Sequence, residues 1–196
     1  MKREKLLELK SCIEEFKVNK MLMVGEGSFI KSNSYLCYIN NGRVIRRDKI
    51  VKKSNDGSAV VIMPVTSSGE IITVIEPRVF TELGVGVGFV SGYIEKGEDS
   101  ISAGSRELLE ETGYASDDII LLDSFYQDEG CSSALIYSLI AFDSKKVGEQ
   151  HFDSSEMIKY MSFTYEEILE LEEMGYIAGA SSKLTLCKAK KYMEGI

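Results

Sequence analysis

Residues 92–114 read GYIEKGEDSISAGSRELLEETGY, and they carry the clearest structural signal in the chain. The second half of this stretch is predicted to be helical, and residues three or four apart are neighbours on one helix face. Glu107, Glu110 and Glu111 have this spacing. At about 100° per residue they lie within an arc of roughly 100°. The stretch therefore predicts a helix with one acidic side.

The opposite side of this helix is predicted to be buried. Its small and apolar residues are Ile101, Ser105, Leu108, Leu109 and Thr112. A face of this kind is what a helix packs against a sheet. We therefore expect the helix to lie on a sheet with its acidic side turned away from the core.

The three glutamates predict a site for a divalent cation. Like charges this close destabilise a helix by about a few tenths of a kcal/mol per pair, and a bound cation would compensate. Magnesium and manganese prefer carboxylate oxygens and commonly link a protein to substrate phosphates. The alternative is a solvated surface helix, which is common for an isolated acidic run. The complete spacing from Gly92 to Gly113 favours the metal site and a phosphate-bearing substrate.

The spacing of a glycine, five residues, a glutamate, seven residues and then Arg-Glu-Leu-Leu-Glu-Glu-Thr-Gly resembles the Nudix box. The matching positions are Gly92, Glu98, Arg106, Glu107, Glu110, Glu111 and Gly113. Tyr114 stands where an aliphatic residue is usual, and Gly104 stands where alanine is common. The resemblance implies an α/β (α+β) fold, with an α/β/α sandwich around a mixed sheet. It also implies an enzyme in which water attacks a phosphorus atom of a nucleoside diphosphate linked to another group.

The resemblance also implies roles for individual residues of the box. Glu107 and Glu111 correspond to the principal metal ligands. Glu110 corresponds to a further ligand or to a catalytic residue that holds the attacking water, and the backbone carbonyl near Ser91 to another ligand. Arg106, which we include in the catalytic set, corresponds to a residue that orients these acids. The implied cofactor is Mg²⁺ or Mn²⁺.

A catalytic base is expected in the loop at residues 144–157, because the resemblance places one well after the box. Glu156 is our first choice for it. Asp153 and Glu149 remain alternatives in the same polar stretch. His151, the single histidine, is predicted to be a surface residue and is given no catalytic role.

From about Arg43 to its end the chain resembles the ADP-ribose pyrophosphatase branch of the Nudix family. Arg78 in IEPRV and Gly130 in FYQDEGCSS stand near positions of that branch that bind substrate. Glu76 and Pro77 replace the Gln-Tyr that usually precede the arginine. A surface ion pair is the alternative role for Arg78.

The resemblance therefore implies hydrolysis of ADP-ribose to AMP and ribose 5-phosphate as the simplest function. The alternatives are a Nudix pyrophosphatase for NADH, another sugar nucleotide or a dinucleoside polyphosphate, and a nucleotide-sensing module without catalysis. The intact glutamates disfavour the sensing module. The resemblance also suggests a homodimer in which the N-terminal strands complete the partner's site.

Composition and charge limit the other possibilities. The 196 residues carry 23 Lys or Arg against 31 Asp or Glu, for a net charge of −8, and the acids concentrate around the box. Such a surface repels nucleic acid, which we do not expect as a partner. The basic run at residues 42–53 is predicted to be an exposed edge strand, with phosphate binding as the alternative.

We expect a cytoplasmic protein with no membrane contact. No run of about 18 apolar residues is present, and MKREKLLELK lacks the apolar core of a signal peptide. The four cysteines are scattered without a CxxC pair, which predicts reduced thiols and no zinc site: Cys12, Cys37, Cys131 and Cys187.

The remaining pattern divides the chain at residue 57. Residues 1–57 are predicted to form a helix (3–17) and antiparallel strands that could mediate dimerisation, and residues 58–196 to form the Nudix domain. Turns at residues 41–42 and 55–57 each predict a hairpin. Further strands are predicted at 58–65, 71–79, 118–127 and 133–142. Two helices are predicted to close the chain, one from a threonine cap to Gly175 and one starting at a serine cap.

Overall fold

The computed structural model describes residues 1–27, 29–52, 56–151 and 157–194. Within them the chain forms four helices and ten strands. The helices are α1 (Arg3–Phe16), α2 (Ser100–Thr112), α3 (Tyr165–Glu173) and α4 (Ala180–Met193). The strands are β1 (Ile30–Tyr38), β2 (Val44–Lys52), β3 (Ala59–Thr66), β4 (Ile71–Pro77), β5 (Val85–Gly88), β6 (Val90–Tyr93), β7 (Tyr114–Ala115), β8 (Asp118–Tyr126), β9 (Leu135–Lys146) and β10 (Lys159–Phe163).

The central sheet is mixed, which confirms the predicted fold class. Its main order is β10-β4-β3-β9-β7, and β5, β6 and β8 pair with β4, β3 and β9 respectively. Strands β3 and β9 run parallel, whereas the other pairs are antiparallel. β3 is buried along most of its length, since its apolar side chains face cores on both sides of the sheet.

Two apolar cores cover the two faces of this sheet. The larger one joins α1, α3 and α4 to the sheet through residues such as Leu9, Ile168 and Leu186. The smaller one contains Ala103 and Leu108 of α2. Helix α1, predicted at 3–17, therefore packs into the same core as the segment after residue 57. No helix in the described part of the chain is long and apolar enough to cross a membrane.

Helix α2 begins and ends at residues that suit its termini. The Asp99 carboxylate accepts hydrogen bonds from the backbone N–H groups of Ile101 and Ser102, each at 2.9 Å. Gly113 ends the helix with φ +69°, a conformation that glycine adopts without steric cost. At Gly104 a β-carbon would overlap the side chain of Leu139, so the missing side chain lets α2 approach β9 closely.

The buried side of α2 agrees with the predicted one only in part, since Leu108 and Thr112 are buried as expected. Ile101 and Leu109 are 37% and 41% exposed, whereas Glu111 is only 8% exposed. The helix is rotated so that Gly104 and Leu108 face the sheet, because the close approach at Gly104 fixes its contact line. One of the three glutamates is therefore carried inward, to the edge of the core.

The first of the two predicted N-terminal hairpins is confirmed and the second is wrong. β1 and β2 pair antiparallel from Ile30↔Lys52 to Tyr38↔Val44, around the turn that contains Gly42 at φ +82°. β2 does not continue into the central sheet in the described residues, because both edges of β3 are taken by β4, β6 and β9. Asn55 of the second predicted turn lies outside the described residues.

The C-terminal part matches the prediction in most respects. Thr164 caps α3, and its hydroxyl and Glu167 form a capping box. The serine cap predicted for α4 is wrong, because its N-cap is Gly179. Ser182 instead lies buried in the first turn, where its hydroxyl accepts a hydrogen bond from the Phe89 N–H at 3.2 Å. The short strands β7 and β10 were not predicted.

Candidate active site

A large cleft opens beside α2. Its volume is about 1430 Å³, and its wall includes residues of β3, β4, β6, α2 and the start of α4. Four residues selected from the sequence line it: Ser91, Glu107, Glu111 and Arg78. The sheet therefore brings the end of β4, the strand β6 and the acidic helix to one cavity, although these segments are far apart in sequence.

Arg106 organises the carboxylates next to this cleft. Its Nε and Nη2 atoms donate to the two carboxylate oxygens of Glu98, both at 3.0 Å. Its Nη1 donates to Glu107 at 2.8 Å and to Glu110 at 3.0 Å, and Nη2 also donates to the Tyr93 carbonyl at 3.1 Å. The planar guanidinium has enough donors for all of these acceptors. One cation thus holds three glutamates of the box and the end of β6.

The hydrogen bonds between Arg106 and Glu98 favour the ionised forms of both side chains. The hydrogen bonds from Arg106 lower the pKa of the Glu98 carboxyl. The hydrogen bond to Glu98 in turn raises the pKa of Arg106. Glu98 also accepts a hydrogen bond from the Glu95 N–H at 3.0 Å, so it ties the loop before α2 to the helix itself.

The motif glycine at position 92 is needed for the position of Glu107. A β-carbon on Gly92 would overlap the Glu107 carboxylate, so the two are in close contact. The absent side chain therefore leaves the recess beside β6 that the carboxylate fills. This contact explains in steric terms why a glycine stands at position 92, where the strand geometry is ordinary.

The three glutamates of the acidic side lie in different environments. Glu111 is buried and lines the cleft, and Glu107 also lines it. Glu110 is not among the lining residues, and 43% of its side chain is exposed. In the described ranges, no three Asp, Glu, His or Cys side chains are arranged as ligands of one ion. The carboxylates of Glu107 and Glu110 are instead turned toward Arg106.

The donor set nevertheless suits a hard divalent cation. Glu107, Glu111 and Ser91 all line the cleft, and their carboxylates and the Ser91 carbonyl are oxygen donors, which Mg²⁺ and Mn²⁺ prefer. The recess at Gly92 leaves room for the Glu107 carboxylate beside the Ser91 backbone. The residues present therefore fit such an ion.

Of the two predicted substrate-binding residues, Arg78 lines the cleft and Gly130 does not. Arg78 lines the cleft and forms an ion pair with Glu76 at 2.5 Å. It also lowers the pKa of the Tyr93 hydroxyl, although burial has the larger effect and raises that pKa overall. Gly130 lies in an exposed turn and is not among the residues that line the cleft, whereas Gln127 beside that turn is.

Of the three candidates for the catalytic base, the structure describes only Glu149. Glu156 and Asp153 lie outside the described residues. Glu149 is exposed and does not line the cleft. Four residues that line the cleft were not selected from the sequence: Ser181 and Lys183 of α4, and Met157 and Ile158 just before β10. No pattern in the sequence marks the first two as cleft residues, because lysine and serine are ordinary surface residues.

A family model and several known proteins match this chain over most of its length. The NUDIX domain family model matches residues 56–181. The chain is 32% identical to an ADP-ribose pyrophosphatase of Bacillus subtilis (strain 168) over 134 residues, which are 68% of this chain and 70% of that protein. It is 29% identical to a methanol dehydrogenase activator of Bacillus methanolicus over 157 residues, 80% of this chain and 82% of the relative.

A solved structure described as an ADP compounds hydrolase has the same fold. It superposes with a TM-score of 0.74, covers 88% of this chain and 90% of its own, and is 22% identical in sequence. At that identity the likeness shows the fold alone. The family model spans more than half of the chain and includes β6, α2 and the N-terminus of α4. The chain therefore belongs to the Nudix hydrolase family.

Proposed function

We propose that this protein hydrolyses the pyrophosphate bond of ADP-ribose, with AMP and ribose 5-phosphate as products. The observation that carries the proposal is the single cleft lined by Glu107 and Glu111 together with Arg78 and Lys183. Acids that suit a metal and cations that suit phosphate thus meet in one cavity. The named activity of the Bacillus subtilis relative supports the choice of ADP-ribose.

The size of the cleft suits a nucleoside diphosphate with a second group attached. Typical ligand pockets measure about 300–1,000 Å³, and this one is larger, at about 1430 Å³. Both apolar and polar side chains line it, including Phe125, Tyr126 and Gln127 of the segment around the end of β8. A base and a sugar can therefore be held at some distance from the glutamates.

The proposed cofactor is Mg²⁺ or Mn²⁺, held by Glu107, Glu111 and the Ser91 carbonyl, with Glu110 as a further ligand. When bound, such an ion neutralises the pyrophosphate and lowers the pKa of a coordinated water. These are the ligands that the box implies, and all but Glu110 line the cleft.

The side chains of the protein then have separate tasks. Arg106 holds Glu107 and Glu110 in place through its hydrogen bonds. Arg78 offers a guanidinium fork that can exchange its bond to Glu76 for two bonds to a phosphate. Removal of the proton from the attacking water is assigned to Glu156, with Asp153 and Glu149 as alternatives, and a placed carboxylate in this role contributes about 10²–10⁴-fold in rate.

We also propose that the protein is a cytoplasmic homodimer that associates through its N-terminal segment, residues 1–57. Of this segment, α1 packs into the core, whereas the β1–β2 hairpin is largely exposed. Leu36, Tyr38 and Val44 of the hairpin are 63%, 77% and 52% exposed. Exposed apolar side chains grouped on one element are typical of an association surface. The four free cysteines suit a reducing compartment.

A product screen tests the proposed function. The purified protein is incubated with ADP-ribose, NADH, a sugar nucleotide and a diadenosine polyphosphate, each with Mg²⁺ or Mn²⁺, and the products are separated by chromatography. We expect AMP and ribose 5-phosphate from ADP-ribose at the highest kcat/KM. Faster turnover of another substrate would replace ADP-ribose in the proposal, and inactivity on all of them would favour a sensing module.

A further inference from the structure

The C-terminal end of α2 is held by a single short segment of the chain. A helix leaves its last backbone carbonyls without partners inside the helix. Here residues 146–151 supply hydrogen-bond donors to four carbonyls in a row, those of residues 110–113. Lys146 Nζ donates to the Thr112 carbonyl at 2.8 Å, and the N–H groups of Val147 and Gly148 donate to the Gly113 carbonyl at 2.9 and 3.1 Å.

The backbone carbonyls of Glu110 and Glu111 accept hydrogen bonds from the last two residues of this segment. The His151 N–H donates to the Glu110 carbonyl at 2.8 Å. Gln150 Nε2 donates to the Glu111 carbonyl at 2.6 Å. These bonds therefore end on the backbone of the two glutamates to which the reaction assigns chemistry.

Gln150 differs from its neighbours because it bonds to a second element as well. The same Nε2 atom donates to the Ile158 carbonyl at 3.3 Å. Ile158 directly precedes β10, is 6% exposed, and lines the cleft that Glu111 also lines. One side-chain amide thus joins the backbone of a cleft-lining glutamate to the backbone of another wall.

We propose that Gln150 is a positioning residue that fixes the Glu111 carboxylate relative to the wall formed by Ile158. Its two donor hydrogens satisfy two carbonyls that no apolar side chain could satisfy. Loss of the amide would let the end of α2 shift against that wall. Displacements of about 1 Å at a reacting group can lower a rate by about 100-fold. This inference rests on the proposed function of Glu111.

Lys146 provides a matched control on the same segment. It also donates to the end of α2, but its ammonium group lies by the rings of Tyr114 and Tyr160, at 5.6 and 4.8 Å from their centroids. It does not line the cleft and bonds to no second wall in the described residues. Its removal should weaken packing without moving Glu111.

The test compares Gln150→Leu and Gln150→Asn with Lys146→Met. Leucine has a similar size and no donor, and asparagine keeps the amide but is too short to reach both carbonyls. For each variant we would measure the melting temperature, kcat and KM for ADP-ribose, and the dissociation constant for Mn²⁺ from the spectroscopic signal of free Mn²⁺.

Both Gln150 variants are expected to lower kcat about 10-fold or more with KM within about twofold, and to weaken Mn²⁺ binding about 10-fold. Lys146→Met should lower the melting temperature and leave kcat and the Mn²⁺ constant within about twofold. A Gln150 variant that loses only thermal stability would overturn the inference, and if Gln150→Leu does not fold, Gln150→Asn decides. If the wild type does not cleave ADP-ribose, the proposed function fails and the Mn²⁺ measurement alone tests Gln150.

Discussion

Helix α2 and the β1–β2 hairpin differ in how the rest of the chain holds them. The glutamates and terminal carbonyls of α2 bond to Arg106 and to residues 146–151. The hairpin strands pair with each other, and the Ile50 N–H and the Lys52 side chain reach the body at Cys131 and Gln127. The helix is thus fixed within one chain, whereas the hairpin leaves large apolar side chains exposed.

This difference separates features that contacts within one chain account for from features that such contacts leave unexplained. Around α2, several residues of the box contact one another: the absent side chain of Gly92 leaves a recess for Glu107, and Arg106 bonds to Glu107 and to two further glutamates. In the hairpin, the exposed Leu36 and Tyr38 have no such internal reason. A second copy of the chain would cover these side chains, which is why we propose a dimer.

The largest effect is expected at the tightest contact around α2. Gly92→Ala should lower kcat about 100-fold, because the added β-carbon overlaps the Glu107 carboxylate and displaces it. The matched control is Gly27→Ala in the open segment before the hairpin, where a β-carbon would meet nothing within 4 Å. Steady-state kinetics on both variants checks the prediction. Equal activity of the two would show that the Gly92 contact does not position Glu107 for catalysis.

A smaller but still large effect is expected at Arg106. Arg106→Met should lower kcat about 10-fold or more and reduce the free energy of unfolding by about 2 kcal/mol, because the glutamates lose a shared charged donor. Lys96→Met removes a nearby exposed cation and serves as the control. Denaturant unfolding and kinetics measure both quantities. A variant as stable and active as Lys96→Met would mean that Arg106 does not organise the site.

The sequence predicted the parts of the fold that depend on local chemistry. The threonine cap of α3, the turn at Gly42 and the mixed sheet are confirmed, since each follows from residues close in sequence or from the box. The buried side of α2 was predicted only in part, because Leu139 of a distant strand fixes the orientation of the helix through the contact at Gly104. The hairpin expected between β2 and β3 failed for a similar reason, as other strands occupy β3.

The residues of the candidate site were also predicted only in part. Glu107, Glu111, Ser91 and Arg78 line one cleft, as residues of one site should, while their roles stay predictions. Gln150 and Lys183 could not be selected from the sequence, because glutamine and lysine are ordinary surface residues there. Only the three-dimensional structure shows that Gln150 bonds to α2 and that Lys183 lines the cleft.

The hairpin offers a test with little expected effect on the fold. The double substitution Leu36→Ser and Tyr38→Ser should convert a dimer into a monomer, halving the mass measured by light scattering, because both side chains are exposed in one chain. The melting temperature measured at low protein concentration should change little. The control is Leu7→Ser on α1, which is also exposed. A wild type that is already monomeric would contradict the proposed dimer.

The smallest effect is expected from the charge of Glu98. Its pKa lies below the ordinary value of 4.5 because Arg106 donates to it, so its ionised form favours folding above about pH 4.5. This contribution is lost as the pH falls through the lower folded value. Glu98→Gln should therefore melt a few degrees below the wild type at pH 7, with a gap that narrows below about pH 4.

Thermal scans from pH 7 to pH 3 check this, with Glu95→Gln at a neighbouring exposed position as the control. The control should follow the wild type throughout the range. A gap for Glu98→Gln that stays constant down to pH 3 would show that the ionised carboxylate is not what ties the loop to α2.

The most direct test of the chemistry assigned to α2 is the kcat/KM of Glu111→Gln for ADP-ribose, compared with that of the wild type. The control is Glu173→Gln on the exposed side of α3. The Glu111→Gln change removes the charge of a buried cleft-lining carboxylate while nearly keeping its shape. We expect a loss of at least about 100-fold, with AMP and ribose 5-phosphate as the wild-type products, and an unchanged rate for Glu173→Gln. Turnover by Glu111→Gln within about twofold of the wild type would contradict the assignment of the chemistry to α2.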